Sequence, residues 1–254
     1  LVLQIQNGKY LLLAHWLLHW VRCIQFLLGF WFRLSEMERP DNRSYRLRGA
    51  RATPAQEAAY RELWKKYGLE PESILNLKEL FPHSSRIIME IGTGMGEASA
   101  EIVRSDPETG YLAIEVHKPG VGALMNMANK NGSENLRIIE EDVHLVLQHW
   151  LQDDSLDAIH LFFPDPWPKT RHKKRRIVQD PFLQLIAPKI KAGGYIHIAT
   201  DWLEYASWIA DVFKNSSLFS GGVIDRPEFR PISKFEGQGL RKGHTVTDFR
   251  FFKT

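Results

Sequence analysis

Residues 156–168 read Leu156-Asp-Ala-Ile-His-Leu-Phe-Phe163-Pro-Asp165-Pro-Trp167-Pro168. The first eight are apolar and rich in strand-forming residues, so they predict a buried strand. The strand has to end in a rigid turn, because prolines remove ladder donors and fix the backbone. The turn places a carboxylate, Asp165, and a flat aromatic, Trp167, at the carboxyl end of a strand, where open α/β sheets bind ligands. We expect a planar base to stack on Trp167 while Asp165 accepts hydrogen bonds from it.

A basic run follows this turn directly. After Lys169 and Thr170 the chain reads Arg171-His-Lys-Lys-Arg-Arg176. Such a run beside a base pocket can hold the phosphates of a nucleic acid. We predict RNA contacts from Arg171, Lys173, Lys174, Arg175 and Arg176. Both features also have plainer explanations, because a proline-rich turn with a buried Trp is usually architectural and a run of Lys and Arg is usually a solvated face.

The rest of the chain alternates strands and helices. Thr53-Pro54-Ala55-Gln56 predicts the start of a helix, with Thr53 as N-cap, Pro54 at the first position and Gln56 at the third, as in a capping box. The helix is predicted to end at Gly68. Strands are predicted at 85–91, 111–116, 136–140, 156–163, 195–199 and 245–252. Helices are predicted at 97–104, 120–131, 143–150, 181–189 and 203–214. Regular β-α-β alternation predicts a Rossmann-like α/β fold, with a mostly parallel sheet and helices on both faces.

A glycine turn and three strand-end acids suggest a cofactor site. Gly92, Gly94 and Gly96 follow the strand at 85–91, and their spacing departs from the G-x-G-x-x-G of dinucleotide sites. The acids at the strand ends are Glu90, Glu115 and Asp142. Carboxylates there can accept ribose hydroxyls or an adenine amino group, which suits a nucleoside cofactor without phosphate, such as S-adenosylmethionine. The plainer alternative is that these acids cap helices.

Composition limits the remaining possibilities. The chain has 254 residues, ordinary apolar content and a net charge of +3. The excess comes from Lys9, Arg22 and Arg33, so RNA binding has to rest on local patches. A single cysteine, Cys23, excludes an intramolecular disulfide and fits a reducing, cytoplasmic compartment. We expect no metal, because the histidines lack ligand spacing.

Residues 1–36 differ from the rest of the chain. Residues 10–32 are long enough to cross a bilayer but are interrupted by polar groups such as His15, His19 and Arg22. They could be a poor membrane anchor, an interfacial helix, or an extension upstream of a start at Met37, and we favour the last. The predicted organisation is this extension over 1–36, a basic arm and helix over 37–84, and the main domain over 85–254.

The chain resembles the bacterial tRNA (guanine-N7)-methyltransferases, which are class I S-adenosylmethionine-dependent enzymes. The resemblance covers about Arg43 to Phe252. Its motifs are Glu90-Ile-Gly-Thr-Gly-Met-Gly96, Ile114-Glu115-Val-His-Lys-Pro-Gly-Val-Gly122, Phe162-Phe-Pro-Asp165-Pro-Trp-Pro-Lys169, Arg171-His-Lys-Lys-Arg-Arg-Ile177, Ala199-Thr-Asp201-Trp202 and Ser233-Lys-Phe-Glu236 with Gly243-His244. The family usually has threonine where Ser233 stands, and residues 1–36 have no counterpart in it.

The resemblance implies a seven-stranded class I methyltransferase fold that modifies guanosine 46 of the tRNA variable loop without a partner subunit. It implies that Glu90, Glu115, Asp142 and Asp165 line the cofactor and active-site pocket. It further implies that the substrate is contacted by Lys169, Asp201, Ser233, Lys234, Phe235 and Glu236. We expect Asp165 to be the catalytic carboxylate.

Three other functions are weighed against this one. An NAD-dependent oxidoreductase shares the fold, but the glycine spacing, Asp142 and the turn at Asp165 argue against it. A catalytically silent RNA-binding protein is disfavoured because the acids at the cofactor positions are intact. A membrane protein would rest on residues 10–32 alone.

Deletion of residues 1–36 should preserve activity, because the predicted site residues all follow Met37. The measurement is the turnover of the truncated chain beside that of the full-length chain. A truncated chain that folds but has lost activity would contradict the interpretation.

Overall fold

The computed structural model describes residues 43–45, 51–232, 236–237, 241, 243 and 245–254. They all belong to one compact unit, Asp41–Thr254. The extension predicted over 1–36 lies outside the described residues. Among the helices that are described, none is long and apolar enough to cross a membrane.

A seven-stranded sheet forms the centre of this unit. Its strands are β1 Arg86–Ile91, β2 Thr109–Ile114, β3 Leu136–Ile139, β4 Leu156–Phe162, β5 Ile190–Thr200, β6 Phe219–Ile224 and β7 Thr247–Lys253. Their order in the sheet is β3-β2-β1-β4-β5-β7-β6. The first five strands pair in parallel, and β7 runs antiparallel to both β5 and β6. The predicted fold class is confirmed.

Helices cover both faces of the sheet. They are α1 Pro54–Tyr67, α2 Leu77–Leu80, α3 Glu97–Ser105, α4 Lys118–Lys130, α5 Val143–His149, α6 Asp180–Ile186 and α7 Leu203–Lys214, with 3-10 segments at Thr170–Arg175 and Ala187–Lys189. Side chains of α1, α3 and α4 share one core with Ile88 and Ala113. Those of α5, α6 and α7 share the other core with Met89 and Leu112. The alternation of strand residues thus divides the interior into two layers.

The sequence analysis misplaced the start of β5 and missed β6. β5 begins at Ile190, five residues before the predicted Tyr195, and continues through Gly193-Gly194, where a turn was predicted. Gly193 has a positive φ, and the pairing with β4 shifts register between Leu156 and Ala158. β6 was not predicted, because Gly221-Gly222 interrupts its apolar pattern.

The start and packing of α1 are explained by single residues. The predicted capping box is confirmed: the backbone N–H of Gln56 donates to Thr53 Oγ1 at 3.3 Å, and that of Thr53 to Gln56 Oε1 at 2.8 Å. α1 then lies close against α4 at Gly122, where an added Cβ would stand 2.3 Å from the backbone oxygen of Gln56. Only glycine allows this approach.

Gly122→Ala should destabilise the protein by about 1–3 kcal/mol, because the new methyl group meets backbone and the two helices have to separate. Helix propensity alone predicts the opposite sign, a gain of about 1 kcal/mol. Urea unfolding measures the change. The matched control is Gly222→Ala in β6, where an added Cβ meets nothing within 4 Å; equal stabilities for the two variants would contradict the packing argument.

Candidate active site

The carboxyl ends of β1, β2 and β4 surround one cleft. It is lined by Gly92 after β1, by Glu115–His117 after β2 and by Phe163–Asp165 after β4. Apolar side chains close its floor and sides: Ile91, Ile114, Val143, Leu161 and Ile177. The space within the cleft, together with the open solvent at its mouth, is about 840 Å³. The cavity therefore lies at the predicted edge of the sheet.

The polar lining of the cleft is acidic. Glu115, Glu141 and Asp165 contribute three carboxyl groups, and the described residues that line the cleft include neither Lys nor Arg. Such a wall attracts a cation or hydroxyl groups and repels a phosphate. These carboxylate acceptors fit a nucleoside that carries sulfonium and ammonium groups, and they do not fit a dinucleotide pyrophosphate.

The glycine turn after β1 leaves open space at Gly92 and Gly94 and packs closely against α4 at Gly96. Gly92 and Gly94 have φ values of +76° and +59°, and a Cβ on either would meet nothing within 4 Å, so the space above them is open. Gly96 has a φ of +78°, and its Cβ would stand 2.6 Å from Leu124 Cβ in α4. The first two glycines therefore face open space, whereas the third lets α4 approach.

Glu115 holds this turn against the end of β2. Its carboxylate accepts backbone N–H groups from Gly94 at 2.7 Å, Val116 at 2.8 Å and His117 at 2.8 Å. Burial raises the pKa of Glu115, and the three backbone donors oppose that rise. The predicted cofactor residue thus lies in the cleft wall and also fixes the shape of the cleft.

Glu90 lies outside the lining of the cleft. Its side chain is buried, and the Tyr111 hydroxyl donates to it. Burial raises the pKa of Glu90 to about 7, against the effects of hydrogen bonds from Tyr111 and Ser99. Contact between Glu90 and the cofactor stays a prediction; the structure places the carboxyl group against Tyr111 of β2.

Asp142 caps α5, as the plainer alternative anticipated. Its Oδ1 accepts the backbone N–H of His144 at 2.9 Å, and Nδ1 of the same histidine lies 2.9 Å away. Asp142 is buried and does not line the cleft, whereas the preceding Glu141 does. Cofactor contact by Asp142 also stays a prediction. Sequence reasoning missed Glu141, although two acids in succession after a strand allow either one to face the cleft.

The proline-rich turn places Asp165 in the cleft and buries Trp167. Phe163 and Trp167 have positive φ values of 51° and 41°, an uncommon conformation for aromatic residues. Trp167 is 5% exposed, its Nε1 donates to the backbone oxygen of Ser44 at 2.9 Å, and the Arg175 guanidinium lies 5.0 Å from its ring centroid. The prediction that a base stacks on Trp167 is therefore wrong, because the protein covers the ring.

The basic run divides into exposed and buried members. Lys169, Arg171 and Lys174 are exposed, while Lys173 pairs with Glu204 at 2.8 Å. The side chain of Arg176 is 0% exposed.

Arg176 has protein partners for its guanidinium. It donates to the Pro166 backbone oxygen at 2.9 Å and to the Glu204 carboxylate, and it lies 4.9 Å from the ring centroid of Tyr205. The RNA contact predicted for Arg176 is wrong, because these groups enclose the side chain. Arg176 instead fixes the turn to α7.

The predicted substrate residues are only partly described. Lys169 is exposed directly after the turn, and Asp201 is half-buried directly after β5. Ser233, Lys234 and Phe235 lie outside the described residues. Glu236 is buried and binds Arg230 with both oxygens, at 2.7 and 3.0 Å. Its substrate contact stays a prediction.

Arg230 connects Glu236 to the sheet. Its guanidinium donates twice to Asp248 in β7, at 2.8 Å each, and Asp248 also lies 2.7 Å from His197 Nε2 in β5. The guanidinium lies 5.6 Å from the ring centroid of Phe163, which lines the cleft. A buried charge with this many partners is held in one place.

Within the described residues, no group of three or more His, Cys, Asp or Glu side chains is arranged to hold a metal ion. Two of the buried or half-buried histidines pack against aromatic rings. His144 packs edge-on against Phe182, and His160 stacks on Phe229 with ring centroids 5.4 Å apart.

Glu90→Gln should change how stability depends on pH. A carboxyl group whose pKa rises on folding, here from 4.5 to about 7, contributes stability at low pH that is lost as the pH rises through this range. The pKa difference between the unfolded and folded states is about 2.5 units. At about 1.4 kcal/mol per unit, it corresponds to a change in unfolding free energy on the order of 3 kcal/mol.

Urea unfolding of the wild type and of Glu90→Gln between pH 4.5 and 8 measures this. The wild type should lose stability relative to the variant as the pH rises. Glu72→Gln, at an exposed position, is the matched control. Parallel profiles for the wild type and Glu90→Gln would contradict the burial argument.

Comparison with known proteins identifies relatives of this chain. A family model described as a putative methyltransferase matches residues 84–249. A tRNA (guanine-N(7)-)-methyltransferase of Nitrosomonas europaea is 46% identical over 219 residues, covering 85% of this chain and 98% of the relative. One of Neisseria gonorrhoeae is 47% identical over 213 residues, covering 82% of this chain and 90% of the relative.

Solved structures support the fold. The 16S rRNA methyltransferase KamB superposes with a TM-score of 0.52 at 12% identity, covering 74% of this chain and 98% of that one. At that identity the likeness concerns the fold alone. The family match and the identities over most of the chain show that it belongs to the tRNA (guanine-N(7)-)-methyltransferases.

Proposed function

We propose that the chain transfers a methyl group from S-adenosylmethionine to N7 of a guanosine in tRNA, at position 46 of the variable loop. One observation carries this proposal. The acidic cleft contains Asp165, and the turn that bears Asp165 runs straight into the exposed cations Lys169, Arg171 and Lys174. Only three residues of chain thus separate a pocket for a cationic nucleoside from a track for phosphates. Position 46 comes from the family resemblance.

The chemistry needs little from the protein beyond placement. Guanine N7 carries a lone pair and no proton, so the nucleophile forms without a general base. S-adenosylmethionine supplies an electrophilic methyl group: the N7 lone pair forms the new bond, the C–S electron pair returns to sulfur as a neutral thioether, and the positive charge passes to the purine ring. The cleft residues have to hold N7 in line with the methyl–sulfur bond at near-attack distance.

Asp165 is our candidate for the catalytic carboxylate. It lies at the end of β4 in the cleft wall, and the prolines on both sides restrict its backbone. A carboxylate at this place favours positive charge moving onto the purine and can accept hydrogen bonds from the donor edge of guanine. Asp201, after the neighbouring β5, is the second candidate.

The other assignments remain proposals with different degrees of structural support. Glu115 and Gly92 line the cleft, whereas Glu90, Gly94, Gly96 and Asp142 shape the elements around it. The resemblance alone supports substrate contacts by Ser233–Phe235. Activity without a metal or a partner subunit, and a cytoplasmic location, also stay predictions.

Radiolabelled S-adenosylmethionine and an unmodified tRNA transcript test the function. Label should appear in N7-methylguanosine after digestion of the product. A transcript with adenosine at nucleotide 46 should take up none. Label in another nucleoside would discard the proposed reacting atom, and full labelling of the adenosine transcript would discard position 46.

Asp165→Asn in the same assay should lower turnover by roughly 100-fold or more, as expected for loss of electrostatic stabilisation in a transition state. Affinity for S-adenosylhomocysteine should change far less. Asp153→Asn, an exposed acid paired with Lys189, is the matched control. An unchanged rate for Asp165→Asn would remove Asp165 from the mechanism.

A further inference from the structure

Trp202 is an exposed aromatic residue at the sheet edge that bears the cleft. Its exposed fraction is 40%, and that of the next residue, Leu203, is 80%. A single exposed apolar side chain on a protein surface needs no explanation. The position of Trp202 is informative, because it directly follows Asp201 and is the N-cap residue of α7.

The backbone ties Trp202 to the cleft wall. The Phe163 N–H donates to the backbone oxygen of Ala199 at 2.8 Å, so β5 ends beside the turn that carries Asp165. The Trp202 N–H donates to Thr200 Oγ1 at 3.3 Å, which turns the chain from β5 into α7. Trp202 is therefore three residues beyond a backbone contact with the cleft wall.

The basic run is fixed to the same end of α7. Glu204, two residues after Trp202, pairs with Lys173 at 2.8 Å and with the buried Arg176. Hydrogen bonds from Arg176 and Lys173 lower the pKa of Glu204 to about 2, so the carboxylate stays ionised. The basic run and Trp202 thus meet at the start of one helix.

We propose that Trp202 stacks on an unpaired base of the tRNA substrate, next to the guanosine that is methylated. The inference rests on the proposed function and names a further residue of the RNA site. A base that enters the cleft has to leave its stack, so a neighbouring base loses a partner. An indole face replaces that partner without reading sequence. Trp167, which the sequence suggested for this role, is covered by Arg175 and Ser44.

Phe252 provides a matched control. It is 43% exposed, about as much as Trp202, but it pairs with Tyr195 in the middle of β5, whereas Trp202 follows the carboxyl end of that strand. Loss of an exposed aromatic side chain is then compared at two positions that differ in distance from the cleft.

Trp202→Ala should lower kcat/KM for the tRNA transcript by roughly 5- to 150-fold, the range that loss of one stacked base gives. Trp202→Phe should keep most of the activity, and Trp202→Leu should behave like the alanine variant, because leucine is apolar but not planar. Phe252→Ala should match the wild type. Affinity for S-adenosylhomocysteine should stay the same in all four.

The salt dependence of tRNA binding separates stacking from damage to the basic run. Stacking involves no counterion release, so Trp202→Ala should weaken binding without changing the slope of log Kd against log salt concentration. Lys174→Ala, which removes an exposed cation, should lower that slope by about 1.

The inference is overturned if Trp202→Leu is as active as the wild type, if Trp202→Ala and Phe252→Ala are alike, or if Trp202→Ala changes the slope. A wild type that binds tRNA but transfers no methyl group would instead contradict the proposed function. The binding measurements would still test Trp202 in that case.

Discussion

The cleft depends on one carboxylate that is bound by backbone. Glu115 gathers three N–H groups, one from the glycine turn after β1 and two from the chain leaving β2. Strand ends leave such donors unpaired, and each one left buried costs free energy. One side chain therefore satisfies donors in the exits of two neighbouring strands and joins the two exits. The opening in which Asp165 and Glu141 meet the glycine turn exists because those two exits are fixed.

Ionisable residues cross the sheet behind the cleft. Glu90, His160, His197 and Arg250 are consecutive register partners on β1, β4, β5 and β7. Burial lowers the pKa of His160 well below its usual value and raises that of Glu90, so both groups favour their neutral forms. Glu90 and His160 can therefore be buried at moderate cost, and the row leads from Glu90 to His197, whose Nε2 lies 2.7 Å from Asp248.

The sequence predicted what depends on pattern and local chemistry. The alternation of strands and helices, the capping box at Thr53 and the position of the cleft at the carboxyl edge all follow from periodicity and turn residues. β6 escaped prediction because its stability comes from pairing with β7, which no local pattern in Gly221-Gly222 reveals. Trp167 and Arg176 were misassigned for a related reason. Residue type shows that a side chain can stack or bind phosphate, but exposure is decided by distant partners such as Ser44 and Glu204. The sequence was equally unable to tell which acid after β3 lines the cleft, because Glu141 and Asp142 are consecutive.

The burial of Arg176 has a consequence for how selectively the proposed site recognises RNA. Many basic segments become ordered only when they meet RNA, and fixing each residue then costs about 1–2 kcal/mol in lost chain entropy. Here the six residues of the 3-10 segment are ordered beforehand, because Arg176 ties their end to Pro166 and Glu204. In the proposed function, the exposed cations form a preformed template that favours RNAs whose phosphates already have the matching spacing and disfavours flexible strands that would have to adapt.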